Sequence, residues 1–518
     1  MENISIKEAF VLKAKVIIMK EYLLGIDNGG TVCKAAVFDI NGNQIMKKSV
    51  QIPLSVNKCG KTERDMNEII NCNLSLVRQI TSELEGKIIG VGLSGHGKGL
   101  YLLDKSGNPL GNGIGSTDSR ALEYELELNQ NGISKKAGEV TFQKVLACQP
   151  VCLLKWLKEN AEEIYNNIGS IISVKDLIGY ALTGEIFAER TDMSGTNLVN
   201  LKTGEYDPYL TELFGIEEIY NCLPPMKNSF DVRGYVTPAA AALTGLEEGT
   251  PVSGGMFDID ACALAAGAAV VGDLCMIAGT WSINEYIAAA PVVGSVSMNS
   301  LYCINGLYLA EESSAASAGN LEWVRNILKD HSYKELDELA ESVDTTASGV
   351  YFLPFLYASN LNPYAKACLV GLDSSHTEAD VIRAVYEGIV FSGYTHLERL
   401  LESCGEAPSR ILLAGGVVNS PFWTQMFADI IGTNLLVTES TELGAKGAAM
   451  SAGIACGVYK DAKDAVKHCT AHGRMIVPNR KMTEIYRRKY SIYRKIEASV
   501  SSVWKDIREF NNGGEKNA

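Results

Sequence analysis

The sequence predicts an α/β protein of two domains that enclose a central cleft. Its 518 residues are too many for one hydrophobic core and suit two domains of about 250 residues. Residues 22–45 have the pattern strand, glycine turn, strand, Asn-Gly turn, strand. The second half repeats this order at 274–289, where a Gly-Thr turn separates two apolar runs. A later apolar run, 410–414, leads through a double glycine into a helix.

The helix after the double glycine has clear start and stop signals. Ser420 is the expected N-cap, Pro421 the first helical residue, and Gly432 follows the last one. Its inward face is expected to carry Phe422, Met426, Phe427, Ile430 and Ile431.

Two other segments predict helices. Residues 261–272 form the most apolar run, which is too short to span a bilayer and predicts a buried helix of small residues. Residues 483–510 predict one amphipathic helix. Its expected apolar stripe is Ile485, Ile492, Ile496, Val500, Val503 and Ile507.

Composition excludes several function classes. A formal net charge of −14 makes the chain a poor partner for nucleic acid or anionic membranes. The 13 cysteines are scattered, with no C-x-x-C pair, which argues against a disulfide framework or a zinc knuckle and favours a reducing cytoplasm. The first twenty residues carry several charges and do not form a signal peptide, so 1–20 is expected to be an extension.

The first candidate site is the turn after strand 22–27. Gly29, Gly30 and Thr31 offer backbone amides and a hydroxyl to a phosphate, and Asp27 beside a phosphate implies an intervening Mg²⁺. A plain β-hairpin turn explains the same residues equally well.

Two segments of the second half also place glycines directly after a predicted strand. Gly279 and Thr280 form the matching turn, and two such turns suggest a nucleotide held between related domains. Gly415 and Gly416 lie where an α/β sheet forms a ligand crevice, and Asn419 either contacts a base or ribose or satisfies the turn.

Two groups of charged residues are candidates for substrate chemistry. GGMFDIDA offers two carboxylates, Asp258 and Asp260, as candidates either to accept a hydroxyl proton during phosphoryl transfer or to cap a helix. Asp118 and Arg120 either bind a polyol together or form a surface salt bridge.

The stretch GLSGHGKG, residues 92–99, is close to a phosphate-binding P-loop but lacks its context. A P-loop leads into a helix, whereas Gly99 leads into the strand-like LYLLD, and no hydroxyl follows Lys98. We interpret it as a sugar loop in which Gly97 and Lys98 approach the substrate, with His96 next to them.

Taken in order, these motifs resemble the FGGY carbohydrate kinases over residues 22 to about 500. The resemblance rests on the Asp27 turn, the glycine loop before LYLLD, the Asp118–Arg120 pair, the GG–Asp of 254–258, the Gly279 turn and GGVVNSPFWTQMFADIIG. The loop at 95–99 and Trp281 depart from the D-xylulose pattern and look closest to the L-xylulose branch.

The resemblance implies two actin-like (ribonuclease H-like) domains around the cleft: 21–252 on the sugar side and 253–480 on the nucleotide side, followed by a C-terminal helix and tail, 481–518. It places Asp258 as the catalytic base and Asp27 at the Mg²⁺ site. The implied phosphate and adenosine contacts are Gly29, Gly30, Thr31, Gly279, Thr280, Gly415, Gly416 and Asn419. The implied sugar contacts are His96, Gly97, Lys98, Asp118, Arg120 and Asp258.

The expected activity is ATP-dependent phosphorylation of a terminal hydroxyl of a ketopentose or related polyol, with L-xylulose first. D-xylulose, ribulose, erythritol or a glycerol-like substrate are alternatives, as is a non-catalytic actin-like sugar-binding protein. The expected ligands are this sugar, ATP and Mg²⁺. The protein is expected in the cytoplasm, with a homodimer as a candidate assembly and without nucleic-acid or membrane partners.

Overall fold

A computed structural model describes residues 20–56, 60–279, 281–294, 296, 298–328, 331–357, 359–362, 364–438, 442–470 and 473–515. The expected extension lies outside these residues except for Lys20, and so does Thr280. No helix in the described ranges is long and apolar enough to cross a membrane.

The first half contains sixteen strands and nine α-helices in its described residues. The strands are β1 Glu21–Asn28, β2 Val32–Phe38, β3 Gln44–Gln51, β4 Ser55–Val56, β5 Thr62–Arg64, β6 Lys87–Gly95, β7 Tyr101–Asp104, β8 Gly113–Ile114, β9 Ile168–Ile172, β10 Ala188–Glu189, β11 Val199–Asn200, β12 Glu205–Tyr206, β13 Met226–Lys227, β14 Val232–Tyr235, β15 Pro251–Ser253 and β16 Met256–Phe257. The helices are α1 Met66–Glu83, α2 Leu122–Gln130, α3 Ile133–Thr141, α4 Pro150–Asn160, α5 Glu162–Asn166, α6 Val174–Thr183, α7 Arg190–Ser194, α8 Pro208–Leu213 and α9 Pro238–Thr244, with a 3₁₀ turn at Glu217–Cys222.

The first sheet has the order β14-β15-β6-β1-β2-β3, and β16 also pairs with β6. The predicted hairpin turns are present, since β1 and β2 are antiparallel, as are β2 and β3. Gly42 of the Asn-Gly turn has a φ of 77°, which suits glycine. The expected domain boundary at 252/253 falls within this sheet, because β15 and β16 both pair with β6.

The second half contains nine further strands and nine further α-helices in its described residues. The strands are β17 Asp273–Ala278, β18 Ser282–Ala288, β19 Met298–Leu301, β20 Tyr308–Ser314, β21 Tyr351–Leu353, β22 Cys368–Val370, β23 Arg410–Ala414, β24 Leu435–Val437 and β25 Arg474–Ile476. The helices are α10 Asp258–Ala266, α11 Ala318–Leu328, α12 Tyr333–Ser342, α13 Glu378–Cys404, α14 Pro421–Ile431, α15 Leu443–Ala455, α16 Ala462–Cys469, α17 Arg480–Val500 and α18 Val503–Glu515, with a 3₁₀ turn at Gly416–Asn419.

The second sheet, β19-β20-β18-β17-β23-β24-β25, repeats the arrangement of the first. β17 and β18 form an antiparallel hairpin, as β1 and β2 do. β17 pairs in parallel with β23, as β1 pairs with β6. The repeated strand–turn–strand pattern of the sequence therefore corresponds to two sheets built in the same way.

Helix α14 has the predicted boundaries. The Ser420 side chain accepts from the Trp423 amide, and Gly432 ends the helix with a φ of 74°. On the predicted inward face, Met426, Phe427 and Ile430 are buried, and Phe422 and Ile431 are partly buried.

Two helix predictions need correction. The run 261–272 is helical only to Ala266, because Gly267 ends α10 with a φ of 111°. The segment 483–510 is two helices rather than one, with a break between α17 and α18. The buried residues of α17 are Thr483, Tyr486, Lys489 and Tyr493, while Ile492, Val503 and Ile507 of the expected stripe are exposed. Tyr486 and Tyr493 occupy interior positions of α17 because their rings pack on Phe391 of α13.

Helices α10 and α15 share one hydrophobic cluster with residues of both sheets. α15 lies so close to the first sheet that a Cβ on Gly25 would lie 1.7 Å from the Ala445 carbonyl oxygen, and one on Gly92 the same distance from that of Ala448. These strand glycines let the helix backbone reach the sheet, so a segment from the second half completes the core of the first.

Candidate active site

Three parallel strand ends meet at one edge of the first sheet. Asp27 in β1 is paired with Ser94 in β6, and Met256 in β16 is paired with the same Ser94 from the other side. The chain leaves β16 after Phe257 and begins α10 at Asp258. Asp27, next to the last residue of β1, and Asp258, just after β16, therefore lie at strand ends on either side of β6. This edge, at the carboxyl ends of parallel strands, is where α/β sheets form ligand crevices.

Asp258 is the first residue of α10, and it does not cap the helix. The N-cap position belongs to Phe257, which makes no side-chain capping bond. Burial raises the pKa of Asp258 well above its usual range, and the nearby carboxylates of Asp27 and Asp192 add to the rise. Of the two alternatives left by the sequence, capping from the N-cap position does not describe Asp258.

Asp27 is enclosed by the second half of the chain. A Cβ on Gly444, in the first turn of α15, would lie 2.5 Å from Asp27 Oδ2. Burial raises the pKa of Asp27, although Lys34 opposes the rise. The Oδ1 atom is buried and has no hydrogen-bond partner in the described part of the chain, so a carboxylate oxygen remains available to a cation.

The turn at Gly29–Thr31 closes the β1–β2 hairpin and leaves its tip open. The Gly29 amide donates to the Val32 carbonyl oxygen at 3.1 Å. Gly30 and Thr31 are exposed, and a Cβ on Gly30 would meet no atom within 4 Å. The turn is a hairpin with an accessible tip, which fits both alternatives that the sequence left open.

The matching turn of the second sheet also begins at a glycine, but its hydrogen bond spans one residue fewer than the bond from Gly29 to Val32. The Gly279 amide donates to the Trp281 carbonyl oxygen at 3.0 Å, and the Gly279 carbonyl accepts from the Ala318 amide at 3.1 Å. Thr280, the other predicted member of this turn, lies outside the described residues. Trp281, the residue that departs from the D-xylulose pattern, is half exposed.

Gly415 and Gly416 lie beside this turn, because Ala414 of β23 is paired with Ile277 of β17. Gly415 has a φ of 96°, and a Cβ there would lie 2.6 Å from the Ala278 carbonyl oxygen, so no other residue fits. Gly416 and Asn419 are exposed on the 3₁₀ turn that leads to α14. The two glycine segments of the second half thus share one sheet edge.

The predicted sugar loop follows the end of β6. His96 is buried, with Nε2 2.9 Å from the Tyr101 hydroxyl and Nδ1 3.3 Å from the Gly97 carbonyl oxygen. Both ring nitrogens are therefore engaged by the protein. A Cβ on Gly97 would lie 2.4 Å from the Phe257 ring, so the loop packs directly against the residue before Asp258.

Lys98 faces the carboxylates of the site. Its backbone is left-handed, with a φ of 61°. Burial alone would lower the pKa of Lys98, but the carboxylates of Glu311 and Asp258 reverse the effect and raise it. The side chain is thus a lasting cation beside Asp258.

Asp118 and Arg120 form a buried ion pair rather than a surface one. Arg120 Nε and Nη2 donate to the two Asp118 oxygens at 2.9 and 2.8 Å. The amides of Thr62 and Arg120 donate to the same carboxylate at 2.6 and 2.9 Å. The four acceptor positions of Asp118 are therefore occupied in this structure. The pair holds β5 and the segment after β8 together.

Glu311 is a member of this constellation that sequence patterns missed. It lies in β20 directly opposite Glu285 in β18, and both side chains are buried. Oε2 of Glu311 has no hydrogen-bond partner among the described residues. The only sequence signal is two adjacent acids, Glu311 and Glu312, inside a mostly apolar strand, where one of them must face the interior.

This fold and site define a class of phosphotransferase. Two similarly built sheets each present a glycine turn, and partly buried carboxylates and a lysine lie near them. Such an arrangement suits phosphoryl transfer, in which positioning and charge stabilisation do most of the work.

The chain belongs to the FGGY family of carbohydrate kinases. Residues 22–265 match the N-terminal domain of that family and residues 274–456 match its C-terminal domain. The predicted family is confirmed, and with it a carbohydrate kinase that uses ATP and a sugar substrate.

Full-length relatives agree with this assignment. The chain is 35% identical to an L-xylulose/3-keto-L-gulonate kinase of Escherichia coli (strain K12), over 95% of this chain and 99% of the relative. It is 36% identical to a probable L-xylulose kinase of Pasteurella multocida, over 93% of this chain and 99% of the relative.

Solved structures confirm the predicted fold class. A ligand-bound xylulose kinase from Lactobacillus acidophilus superposes with a TM-score of 0.87 over 94% of this chain and 100% of that one, at 23% identity. A Plasmodium falciparum glycerol kinase with ADP gives a TM-score of 0.84 over 92% of this chain and 98% of that one, at 19% identity.

Proposed function

We propose that this kinase transfers the γ-phosphoryl group of ATP to a terminal hydroxyl of L-xylulose. Two relatives that match almost the whole chain are named L-xylulose kinases, which supports this substrate. One of these names also includes 3-keto-L-gulonate, an acidic sugar, and the cation of Lys98 in the sugar loop makes such a substrate the second to test. The observation that carries the mechanism is that Asp27 and Asp258 lie at strand ends on either side of β6, close enough for the Asp27 carboxylate to raise the pKa of Asp258.

In the proposed mechanism, Asp258 accepts the proton of the sugar hydroxyl as its oxygen attacks the γ-phosphorus. The new P–O bond forms as the bond to ADP breaks. Lys98 supports this role because its positive charge favours the ionised form of Asp258. Gly97 and Lys98 approach the sugar, whereas His96, Asp118 and Arg120 keep that side of the cleft in shape through their own hydrogen bonds.

The nucleotide is proposed to lie against the two hairpin turns. Gly29, Gly30 and Thr31 would face the phosphates from the first half, with Gly279 and Thr280 opposite them. Gly415, Gly416 and Asn419 would contact the adenosine. Gly30, Thr31, Gly416 and Asn419 are exposed at two sheet edges, which supports this role. We assign the sugar to the domain of residues 21–252 and the nucleotide to that of 253–480.

The carboxylate of Asp27 fits a Mg²⁺ site. Its Oδ1 is buried and without a partner among the described residues, which suits a hard cation. The described residues contain no group of three or more His, Cys, Asp or Glu side chains arranged to hold a metal. Mg²⁺ commonly uses one or two carboxylates together with substrate phosphates. When bound, it would neutralise charge on the phosphates.

The decisive variant is Asp258→Asn, which keeps the shape of the side chain and removes the base. We expect kcat to fall by about 10²–10⁴-fold, the usual contribution of a positioned acid or base. ATP binding, measured by calorimetry, should persist. Near-normal turnover by folded Asp258→Asn would refute the mechanism.

Asp260→Asn is the matched control in the same helix. Asparagine keeps the shape of the side chain and an oxygen that can accept from the Cys303 amide, as Asp260 Oδ1 does at 2.8 Å. This variant should keep kcat within about threefold.

An ADP-coupled assay tests the identity of the substrate. The compounds to compare are L-xylulose, 3-keto-L-gulonate, D-xylulose, ribulose, erythritol and glycerol. If another of these compounds gives a higher kcat/KM than L-xylulose, that compound is the better substrate and the proposal for L-xylulose is wrong.

A further inference from the structure

A buried ionic network lies behind Asp258. The Lys175 side chain is fully buried, and its Nζ lies 3.0 Å from Asp192 Oδ2, 3.2 Å from Asp176 Oδ2 and 3.6 Å from Glu189 Oε2. Arg233 Nη1 adds a second cation, 2.8 Å from Asp176 Oδ1. Buried charges of this kind persist only when they are paired and hydrogen-bonded, so the geometry of the network is tightly determined.

Glu189 connects this network to Thr191. Its Oε1 accepts from the Thr191 amide at 2.9 Å and from Ser229 Oγ at 2.8 Å. Its Oε2 accepts from the Thr191 hydroxyl at 2.7 Å. The hydroxyl of Thr191 in turn accepts from the amide of Phe257 at 2.9 Å. Because an amide only donates, the hydroxyl hydrogen of Thr191 is free to go to Glu189, which fixes the direction of the chain.

Phe257 is the residue through which Thr191 reaches the catalytic centre. It precedes Asp258, and its strand β16 has only two residues paired with β6. No side chain caps α10, which begins at the next residue. The ring of Phe257 also packs against Gly97. A shift of this peptide would therefore move Asp258 and the sugar loop together.

We propose that Thr191 is a positioning residue for Asp258, held in place by Glu189 and Lys175. The inference rests on the proposed role of Asp258 as the base. The hydroxyl fixes the amide of Phe257, so the carboxylate that follows keeps its distance from the reacting hydroxyl. Misplacement of a catalytic group by about 1 Å costs on the order of 10²-fold in rate.

The test compares Thr191→Val, which keeps the shape and removes the hydroxyl, with Thr191→Ser, which keeps the hydroxyl. We expect Thr191→Val to lower kcat by about 10–100-fold with sugar and ATP KM values within about threefold. Thr191→Ser should restore most of the kcat. Rates are normalised to the ATP-binding stoichiometry from calorimetry, so that loss of folded enzyme does not count as loss of kcat.

Thr244→Val is a matched control away from the site. Thr244 is fully buried, and its hydroxyl likewise accepts from an amide, that of Leu246 at 3.3 Å, while it donates to the Ala240 carbonyl oxygen. This variant should lose stability like Thr191→Val but keep its kcat. A kcat loss in Thr244→Val equal to that in Thr191→Val would mean that general destabilisation explains both.

The outcomes separate this inference from the proposed function. Wild-type kcat in Thr191→Val, with Asp258→Asn inactive, overturns the positioning role and leaves the base in place. An active Asp258→Asn overturns the base itself. If Thr191→Ser is as slow as Thr191→Val, the hydroxyl is not responsible. If Thr191→Val does not fold, Thr191→Cys decides, because a thiol is a weak acceptor and an unchanged kcat would again overturn the role.

Discussion

At the scale of single residues, the site is a set of opposing charges, of which Asp192 and Glu311 are buried and Asp27, Lys98 and Asp258 are partly buried. Asp27 and Asp192 raise the pKa of Asp258, and Glu311 acts in the same direction from the second half. Lys98 stands among these carboxylates and keeps its proton because of them. The ionised form of Asp258, which a base requires, therefore depends on nearby positive charge.

Lys98→Met tests this dependence and the sugar loop together. The variant removes the cation but keeps most of the side-chain volume. We expect the sugar KM to rise by about 10–100-fold, the usual effect of losing a charged hydrogen bond, with the ATP KM nearly unchanged. The acid limb of kcat/KM should also move to higher pH, because the pKa of Asp258 loses a neighbour that lowers it.

Lys47→Met is the control for Lys98→Met. Lys47 is half exposed and pairs with Glu442 at 3.0 Å, away from the sugar loop. Its replacement should leave both KM values unchanged. If Lys98→Met raises the ATP KM and leaves the sugar KM normal, the loop binds phosphate rather than sugar.

His96 predicts a specific loss of stability in acid. Burial lowers the pKa of His96 to about 4, and the cation of Arg64 acts in the same direction. The unfolded chain, with a histidine pKa of about 6.5, binds a proton before the folded chain does. The contribution of His96 to the free energy of unfolding is therefore fully present above about pH 6.5 and is lost as the pH drops toward 4. At pH 5 the loss from this residue should be about 2 kcal/mol.

Denaturant unfolding of wild-type and His96→Gln protein at pH 7 and pH 5 measures this effect. Glutamine keeps a polar group near the Tyr101 hydroxyl but does not titrate, so the variant should lose less stability between the two pH values. Other acids contribute equally to both proteins and cancel in the comparison. Equal losses would show that His96 does not titrate on unfolding in this range.

Some site residues were predictable from sequence, and others carry no local signal. Asp27 and Asp258 lie close to glycines at strand ends, and this sequence pattern identifies them as candidate site residues. Glu311 and Lys175 lie inside a strand and a helix. Only the folded chain brings Glu311 near Asp258 and places Lys175 on Asp192. Their burial as charged residues is the physical signature, and burial is not visible in the sequence.

At the scale of elements, local chemistry determined what could be predicted. The α14 boundaries follow from a serine cap, a proline and a glycine, each of which acts within a few residues. The packing of α15 on the first sheet joins segments more than 300 residues apart, through glycines whose spacing has no local meaning. The prediction of the buried face of α17 was wrong because that face packs on Phe391, which lies in another helix and gives no signal within α17.

The contact between α15 and β6 predicts that Gly92→Ala is strongly destabilising. The added Cβ would lie 1.7 Å from the backbone oxygen of Ala448, where no side-chain adjustment relieves the clash. We expect the free energy of unfolding to fall by about 3 kcal/mol or more, at the upper end of overpacking effects. Urea denaturation measures it.

Gly349→Ala is the control for the clash at Gly92. A Cβ at Gly349 would meet no atom within 4 Å, and this glycine does not have a positive φ. The change should be neutral or slightly stabilising. If Gly92→Ala were equally mild, α15 would not lie as close to the sheet as the structure has it.

At the scale of the whole molecule, the two halves share one interior. Helix α10 follows β16 of the first sheet, and α15 returns from the second half to cover β1 and β6. Both helices belong to a hydrophobic cluster that includes Leu23 and Ala36 on one side and Cys275 and Leu412 on the other. Residues of both sheets are buried in this shared cluster, so the halves should not unfold independently.

Buried cysteines in each half make this expectation measurable. Cys33 and Cys152 report on the first half, Cys275 and Cys303 on the second, and all four are buried and free. Pulsed thiol labelling across a urea gradient, read by peptide mass spectrometry, gives each cysteine its own unfolding midpoint. Because the shared cluster couples the halves, we expect the four midpoints to coincide with one another and with the transition seen by circular dichroism. In Gly92→Ala, which disturbs the first half directly, all four should move together to lower urea. Midpoints that separate into an early pair and a late pair would show that the halves are independent folding units, despite their common interior.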